Sequence, residues 1–353
     1  MSSQSVRRRI RPDWFDADSA IIPAHHQSAH LIELIQNRGY SDHRLLRHTG
    51  LFVEDIHRRQ AWITPRQFLK LVGNARQLDT SQELGFVWGS RWFPGHYGAA
   101  STLLYEAGSL AEILATLKRY QLLLSPLLTL DIIEDDRWCY LVWLDGIGTG
   151  SQRSFLIETT MSAVSSLSAW LAGEKLPWKY ALRSQESKQR APYDVYFGPQ
   201  LRFSQAVDAM IIEKSWLHQR WRTSSDIVTT VARSEADAEL QRLGPTHGFV
   251  GVVYRHLFRN CHHPLNLPQV AEHFGMSAPT LKRKLKHHNT GFQALFDEAR
   301  LHTSLYLFHI QKWNVEQVAE HLNCRDSTNF RRLFKRWTGM TPSQFNADLI
   351  HLQ

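Results

Sequence analysis

Two short cationic runs lie near the carboxyl end of this 353-residue chain: Lys282, Arg283, Lys284 and Lys286, then Arg331, Arg332, Lys335 and Arg336. Guanidinium forks can read guanine edges, and ammonium groups anchor phosphates, so such runs suit a polyanionic duplex. From residue 251 onward thirteen bases face seven acids, a surplus of six within a whole-chain formal charge of +8. Net charge alone favours an anionic partner without naming one; its concentration around the two runs says more.

Other constellations carry less chemistry. Cys139, Cys261 and Cys324 are too widely spaced for a disulfide framework or a CxxC metal site. The histidine pairs at 25–26, 262–263 and 287–288 lack metal-ligand spacing, because adjacent side chains diverge on a helix or a strand. There is no phosphate-cradling glycine loop, HExxH or Gly-x-Ser-x-Gly element in a suitable context. No cofactor or metal is therefore expected, and the chain reads as a binding protein rather than an enzyme. Arg7-Arg8-Arg9 leads into an acidic, proline-containing stretch instead of an apolar signal region, and no run approaches the ~18 apolar residues of a membrane span. The cytoplasm is the expected compartment.

The elements that must position the cationic runs form a repeat. Leu267, Val270, Ala271 and Phe274 occupy one face of a short helix, and Val315, Val318, Ala319 and Leu322 repeat that pattern downstream. In the first copy Gly275 can take the left-handed conformation that ends a helix, Ser277 can cap the next, and Pro279 is tolerated in its first turn. In the second copy Asn323 takes the left-handed place and Asp326 or Ser327 can cap. The following helices match again, Leu281 and Leu285 against Phe330 and Phe334, then Thr290-Gly291 against Thr338-Gly339. Helix, tight turn, helix is the form of a helix-turn-helix.

With Leu281 and Leu285 turned to a core, steps of about 100° per residue put Pro279, Lys282, Arg283 and Lys286 outward. The same construction on Phe330 and Phe334 puts Thr328, Arg331, Arg332 and Lys335 outward. One basic helix face is usually only solvated. Its recurrence in the second helix of each copy favours entry into DNA major grooves. Phe292 to His309, without glycine or proline, reads as one helix joining the units. Held about 34 Å apart, two reading helices would enter successive grooves, so that even a monomer could bind an asymmetric site.

These stretches resemble the AraC/XylS family of bacterial transcription regulators. The carrying residues are LPQVAEHFGMS over 267–277, TLKRKL over 280–285 and STNFRRLFKRWTGMTPSQF over 327–345, the last ending in the family's Gly-x-x-Pro-x-x-aromatic pattern. Asn323-Cys324 stands where the family usually has Gly-Phe. The resemblance implies double-stranded DNA as partner and activation by contact with RNA polymerase.

The first 222 residues read as an α+β domain. Leu31-Ile35 and Pro65-Val72 suggest short helices, Ser109 can cap a helix over Leu110-Leu124, and Phe155-Leu171 reads as a long one. Thr129-Ile133 and Cys139-Leu144, separated by Glu134-Asp135-Asp136, read as a β-hairpin. Residues 25–220 resemble, by spacing and hydrophobic pattern, the arabinose-operon-regulator-like N-terminal ligand-binding domain of one branch of the family. That likeness implies a small-molecule effector and a role in homodimer formation. Trp88, Trp92, Phe93 and Tyr97, around the turn-forming Pro94-Gly95, are the candidate effector-binding residues; the plain alternative is that they pack their loop onto the domain.

Residues 223–247 read as a linker and 248–353 as an all-α DNA-binding domain with two helix-turn-helix units joined by a long helix. Two other functions fit the same tail. One is a DNA-modifying enzyme, for which Cys139, in an expected strand, is the lone thiol of the first domain. The other is an effector-independent DNA-binding protein.

Overall fold

Alternate residues of one hairpin belong to different cores, and this sets the architecture. In the computed structural model, which describes residues 14–57, 61–187, 189–221, 224–244 and 247–345, strands Leu128–Glu134 and Trp138–Asp145 pair antiparallel. They extend through Ala209–Glu213 and Lys179–Ala181 to Leu201–Arg202, giving a five-stranded, mostly antiparallel sheet. Successive side chains of a strand point to opposite faces. Leu128, Leu130, Cys139, Leu141 and Trp143 thus join the core beneath the amino-terminal helices. Ile133, Tyr140, Val142, Leu144 and Ile211 face the carboxyl-terminal helices instead.

The inner core is closed by helices Gln27–Asn37, Pro65–Leu78, Leu84–Gly89, Ala99–Glu106 and Leu110–Arg119, with Arg153–Ala172 running through it. Local sequence accounts for their ends. Thr64 and Gln67 form a reciprocal capping box ahead of Pro65, and Ser109 accepts from the Glu112 amide. The helix expected over Leu110-Leu124 breaks at Tyr120, whose buried ring gives its hydroxyl to Asp237 at 2.7 Å.

Asp237 belongs to an 18-residue helix, Asp226–Leu243, in the segment expected to link the domains. It lies against Ala99–Glu106, burying Ala232 and Ala236, and Arg119 donates two bonds to Asp237. Thr223, Pro245 and Thr246 of that expected linker lie outside the described residues, as does Arg7-Arg8-Arg9.

The carboxyl-terminal region is helical: Phe249–Arg259, Leu267–His273, Ala278–His287, Phe292–His309, Val315–His321 and Ser327–Thr338. Strand Trp14–Phe15 pairs in parallel with His247–Gly248, and the Trp14 ring packs on Phe249 and Phe274. The amino-terminal segment thereby reaches the first helix-turn-helix. The fold is thus an α+β domain followed by an all-α region with two helix-turn-helix units, the class expected from the sequence.

Candidate nucleic-acid interface

Each helix-turn-helix unit is set by the same local devices. Asn266 and Gln269 make a reciprocal capping box at the start of Leu267–His273, with both bonds at 3.0 Å, and Asn314 and Gln317 do the same for Val315–His321 at 2.9 Å. The Asn-x-x-Gln pairs recur 48 residues apart; sequence reasoning passed over this signal of the repeat. Gly275 (φ +65°) and Asn323 (φ +52°) take the left-handed turn positions. Ser277 then accepts from the Thr280 amide, and of the two candidate caps in the second copy it is Asp326 that is used, accepting from the Asn329 amide at 2.6 Å.

The two copies end differently. Thr338-Gly339 closes the second reading helix with Gly339 left-handed (φ +79°). In the first copy the left-handed residue is Asn289 (φ +54°), two positions before Gly291, which is extended and opens the connecting helix.

Val270, Ala271, Leu281 and Leu285 are buried in the first unit, and Val318, Ala319, Phe330 and Phe334 in the second. Cys324, where an aromatic ring is usual, is half-buried and its thiol is pushed up by burial. The second unit gains its rings elsewhere: Phe308 lies 6.1 Å from Phe330 and 5.9 Å from Phe334, and Phe345 lies 5.6 Å from Phe334.

On the opposite faces, Pro279, Lys282, Arg283 and Lys286 are exposed, as are Thr328, Arg331, Arg332 and Lys335. Among the described residues, Lys282, Arg283, Lys286, Arg332 and Lys335 make no ion pair, while Arg331 meets Glu316 at 3.2 Å. Unneutralised cations at matched helix positions are free to meet phosphates and base edges.

A different flank of the first reading helix is fastened to the amino-terminal domain. Lys284 pairs with Asp16 at 2.7 Å, His287 meets Asp18 at 2.7 Å, and the buried His288 ring bonds the Ile147 carbonyl at 2.7 Å. Burial raises the Asp16 carboxyl, but bonds from His288 and Lys284 outweigh it and hold it below its ordinary range. Hydrogen bonds from Arg66 and His287 hold Asp18 at about 2. In the second unit Arg336 takes the matching flank and pairs with Asp297 at 3.0 Å. The outward faces stay clear of all these contacts.

Trp88, Trp92, Phe93 and Tyr97 are brought together, with neighbouring ring centroids 5.1, 6.2 and 6.1 Å apart, and all four are buried. Gln27 and Trp92 line a cavity of about 10 Å³ beside this cluster, which has room for about one water molecule.

Residues 39–221 match the arabinose-binding domain of AraC transcription regulators, N-terminal part, and residues 270–348 match a helix-turn-helix domain. The chain belongs to the AraC family. It is similar to the ornithine utilization regulator of Pseudomonas aeruginosa, 22% identical over 92% of this chain and 96% of that one. An uncharacterised helix-turn-helix transcriptional regulator of Mycobacterium bovis is 25% identical over 74% of this chain and 78% of its own. Among solved structures, the transcriptional regulator CdpR of Pseudomonas aeruginosa aligns with 87% of this chain and 98% of its own at 20% identity and a TM-score of 0.43. This AraC-family chain is accordingly a DNA-binding transcription regulator carrying an arabinose-binding-type domain. No helix among its described residues is long and apolar enough to cross a membrane.

Proposed function

We propose that this AraC-family regulator recognises a specific double-stranded DNA site by placing two helices in successive major grooves. Arg283 and Arg332 read base edges, Lys282, Lys286, Arg331 and Lys335 hold phosphates, and Pro279 and Thr328 face the groove floor. The observation that carries this reading is the pair of exposed, basic outward faces at matched positions. The Phe292–His309 connector, 18 residues and so about 27 Å long, supports a fixed spacing of the two units.

In the same reading the amino-terminal domain senses a small-molecule effector, which redistributes the chain between forms that do and do not engage DNA. Transcription is activated through RNA polymerase, and the working form is a cytoplasmic homodimer. The docking of the first reading helix on Asp16, Asp18 and Ile147 supports communication between domains. The aromatic cluster of Trp88, Trp92, Phe93 and Tyr97 is one place where an effector could enter, by parting its closed rings.

Footprinting on DNA flanking the gene tests this. The expected result is protection of two adjacent major grooves on one side of the duplex. Affinity indifferent to sequence at moderate salt would remove the specific-regulator reading.

A further inference from the structure

The outer face of the five-stranded sheet is not fully covered by the helices packed on it. Ile133, Val142 and Leu144 are only partly buried there, although each belongs to the apolar face turned toward the carboxyl-terminal domain. Above them a cleft of about 460 Å³ opens between this sheet face and helices Phe249–Arg259 and Phe292–His309. Tyr254, Phe258 and Tyr306 form its helical wall. A narrower apolar extension of about 90 Å³ continues from it, sharing Ile133, Val142, His302 and Tyr306. The main cleft falls within the ~300–1,000 Å³ usual for small-molecule sites, which also favour domain interfaces.

Its polar groups are unevenly matched. Lys118 and Asp131 face the cleft but neutralise each other at 3.1 Å. His302 is held as a neutral ring by burial, and its Nδ1 lies 2.6 Å from the Tyr254 hydroxyl. Arg255 also lines the cleft and is half-buried. Its described polar contact is His247 Nε2 at 2.9 Å, and among the described residues no carboxylate lies within ion-pair distance of it. Burial and then the neighbouring Arg259 disfavour its charge, with only the more distant Asp131 opposing them. A guanidinium withdrawn from water in an apolar cleft needs an anion, and a carboxylate meets it with two parallel bonds.

We propose that this interdomain cleft binds a small carboxylate with an apolar body, the carboxylate on Arg255 and the body against Ile133, Val142 and Leu144. The proposal rests on the effector reading and gives it a ligand class and a place. Such a ligand touches the sheet of one domain and two helices of the other, so its binding would fix how the reading units sit on the regulatory domain.

The test uses the full-length protein and four probes: decanoate, 3-phenylpropionate and their neutral alcohols, decanol and 3-phenylpropanol. Thermal shift and titration calorimetry report binding. Both wall chemistries are sampled, so the better acid tells an aliphatic from an aromatic body. At least one acid is expected to bind, with its alcohol about tenfold to a hundredfold weaker. Arg255→Gln should bring the acid down to the level of the alcohol, and Arg255→Lys should restore a preference for the acid. Val142→Trp, which fills the cleft, should remove acid and alcohol alike; circular dichroism checks that each variant is folded. Equal binding of acid and alcohol by the unaltered protein, or a preference that survives Arg255→Gln, would overturn the site. Binding of neither probe class also overturns it. A different metabolite whose stabilisation survives both Arg255→Gln and Val142→Trp would overturn this cleft while sustaining an effector elsewhere, whereas no stabilisation by any compound in a metabolite library would end both readings.

Discussion

Replacing Arg283 or Arg332 with alanine isolates base reading from folding, because neither side chain supports the structure. Both are exposed, and neither makes an ion pair among the described residues. Truncation should leave the melting temperature unchanged, since surface changes away from structural contacts usually stay within about 0.5 kcal/mol. A lost arginine contact to guanine costs about 1–3 kcal/mol, or roughly 5-fold to 150-fold in dissociation constant on the cognate site. On scrambled DNA the same variants should lose far less, so the specificity ratio falls. Lys286 offers the contrast: Lys286→Ala should weaken every sequence alike and lower the magnitude of the salt slope by about 1. Fluorescence anisotropy on footprinted and scrambled duplexes, each titrated at several salt concentrations, supplies all of these quantities. If Arg283→Ala, Arg332→Ala and Lys286→Ala reduce binding to both duplexes equally, the assignment of base readers is wrong.

Other residues give independent checks. Phe334 is fully buried among Phe308, Phe330 and Phe345, so Phe334→Ala should cost about 3–5 kcal/mol in denaturant unfolding and remove operator binding; a loss under about 1 kcal/mol would contradict the four-ring core. Gly148 has φ +84° and a side chain there would meet the His288 carbonyl, so Gly148→Ala should push the first unit off the regulatory domain, seen as faster amide exchange over 284–290; unchanged exchange would refute that contact. Burial pushes Glu158 up to about 7 while the Tyr193 hydroxyl donates to it. Its protonated form is favoured in the folded chain, so its contribution is fully present below pH 4.5 and fades as pH rises through about 7, by about 3 kcal/mol in all; Glu158→Gln should flatten that slope in unfolding measurements, and an unaltered slope would refute it. Cys139 is buried and pushed to about 12, so a thiol reagent should leave it unmodified in the native protein and Cys139→Ser should retain DNA binding. Rapid labelling, or loss of a group-transfer activity on that change, would favour the enzyme alternative.

The carboxyl-terminal units were legible in the residues themselves because their determinants are local. The i, i+3, i+4 spacing, the left-handed Gly275 and Asn323, and the glycine-free run giving a helix over Phe292–His309 all act within a turn or two of chain. Where two local choices were nearly equal, Asp326 against Ser327 as cap, neighbouring geometry decided. The docking of the domains was set otherwise. Asp16 meets Lys284 across 268 residues, and Arg119 holds Asp237 of the helix Asp226–Leu243 across 118. Pairings at such separations leave no periodic mark in the chain. The hairpin at 128–145 shows the limit most plainly: alternation announces a strand with two apolar faces, but not which body covers each. Only the tertiary structure turned Val142 and Leu144 toward helices Phe249–Arg259 and Phe292–His309 and left Arg255 beside them with no carboxylate in ion-pair distance among the described residues.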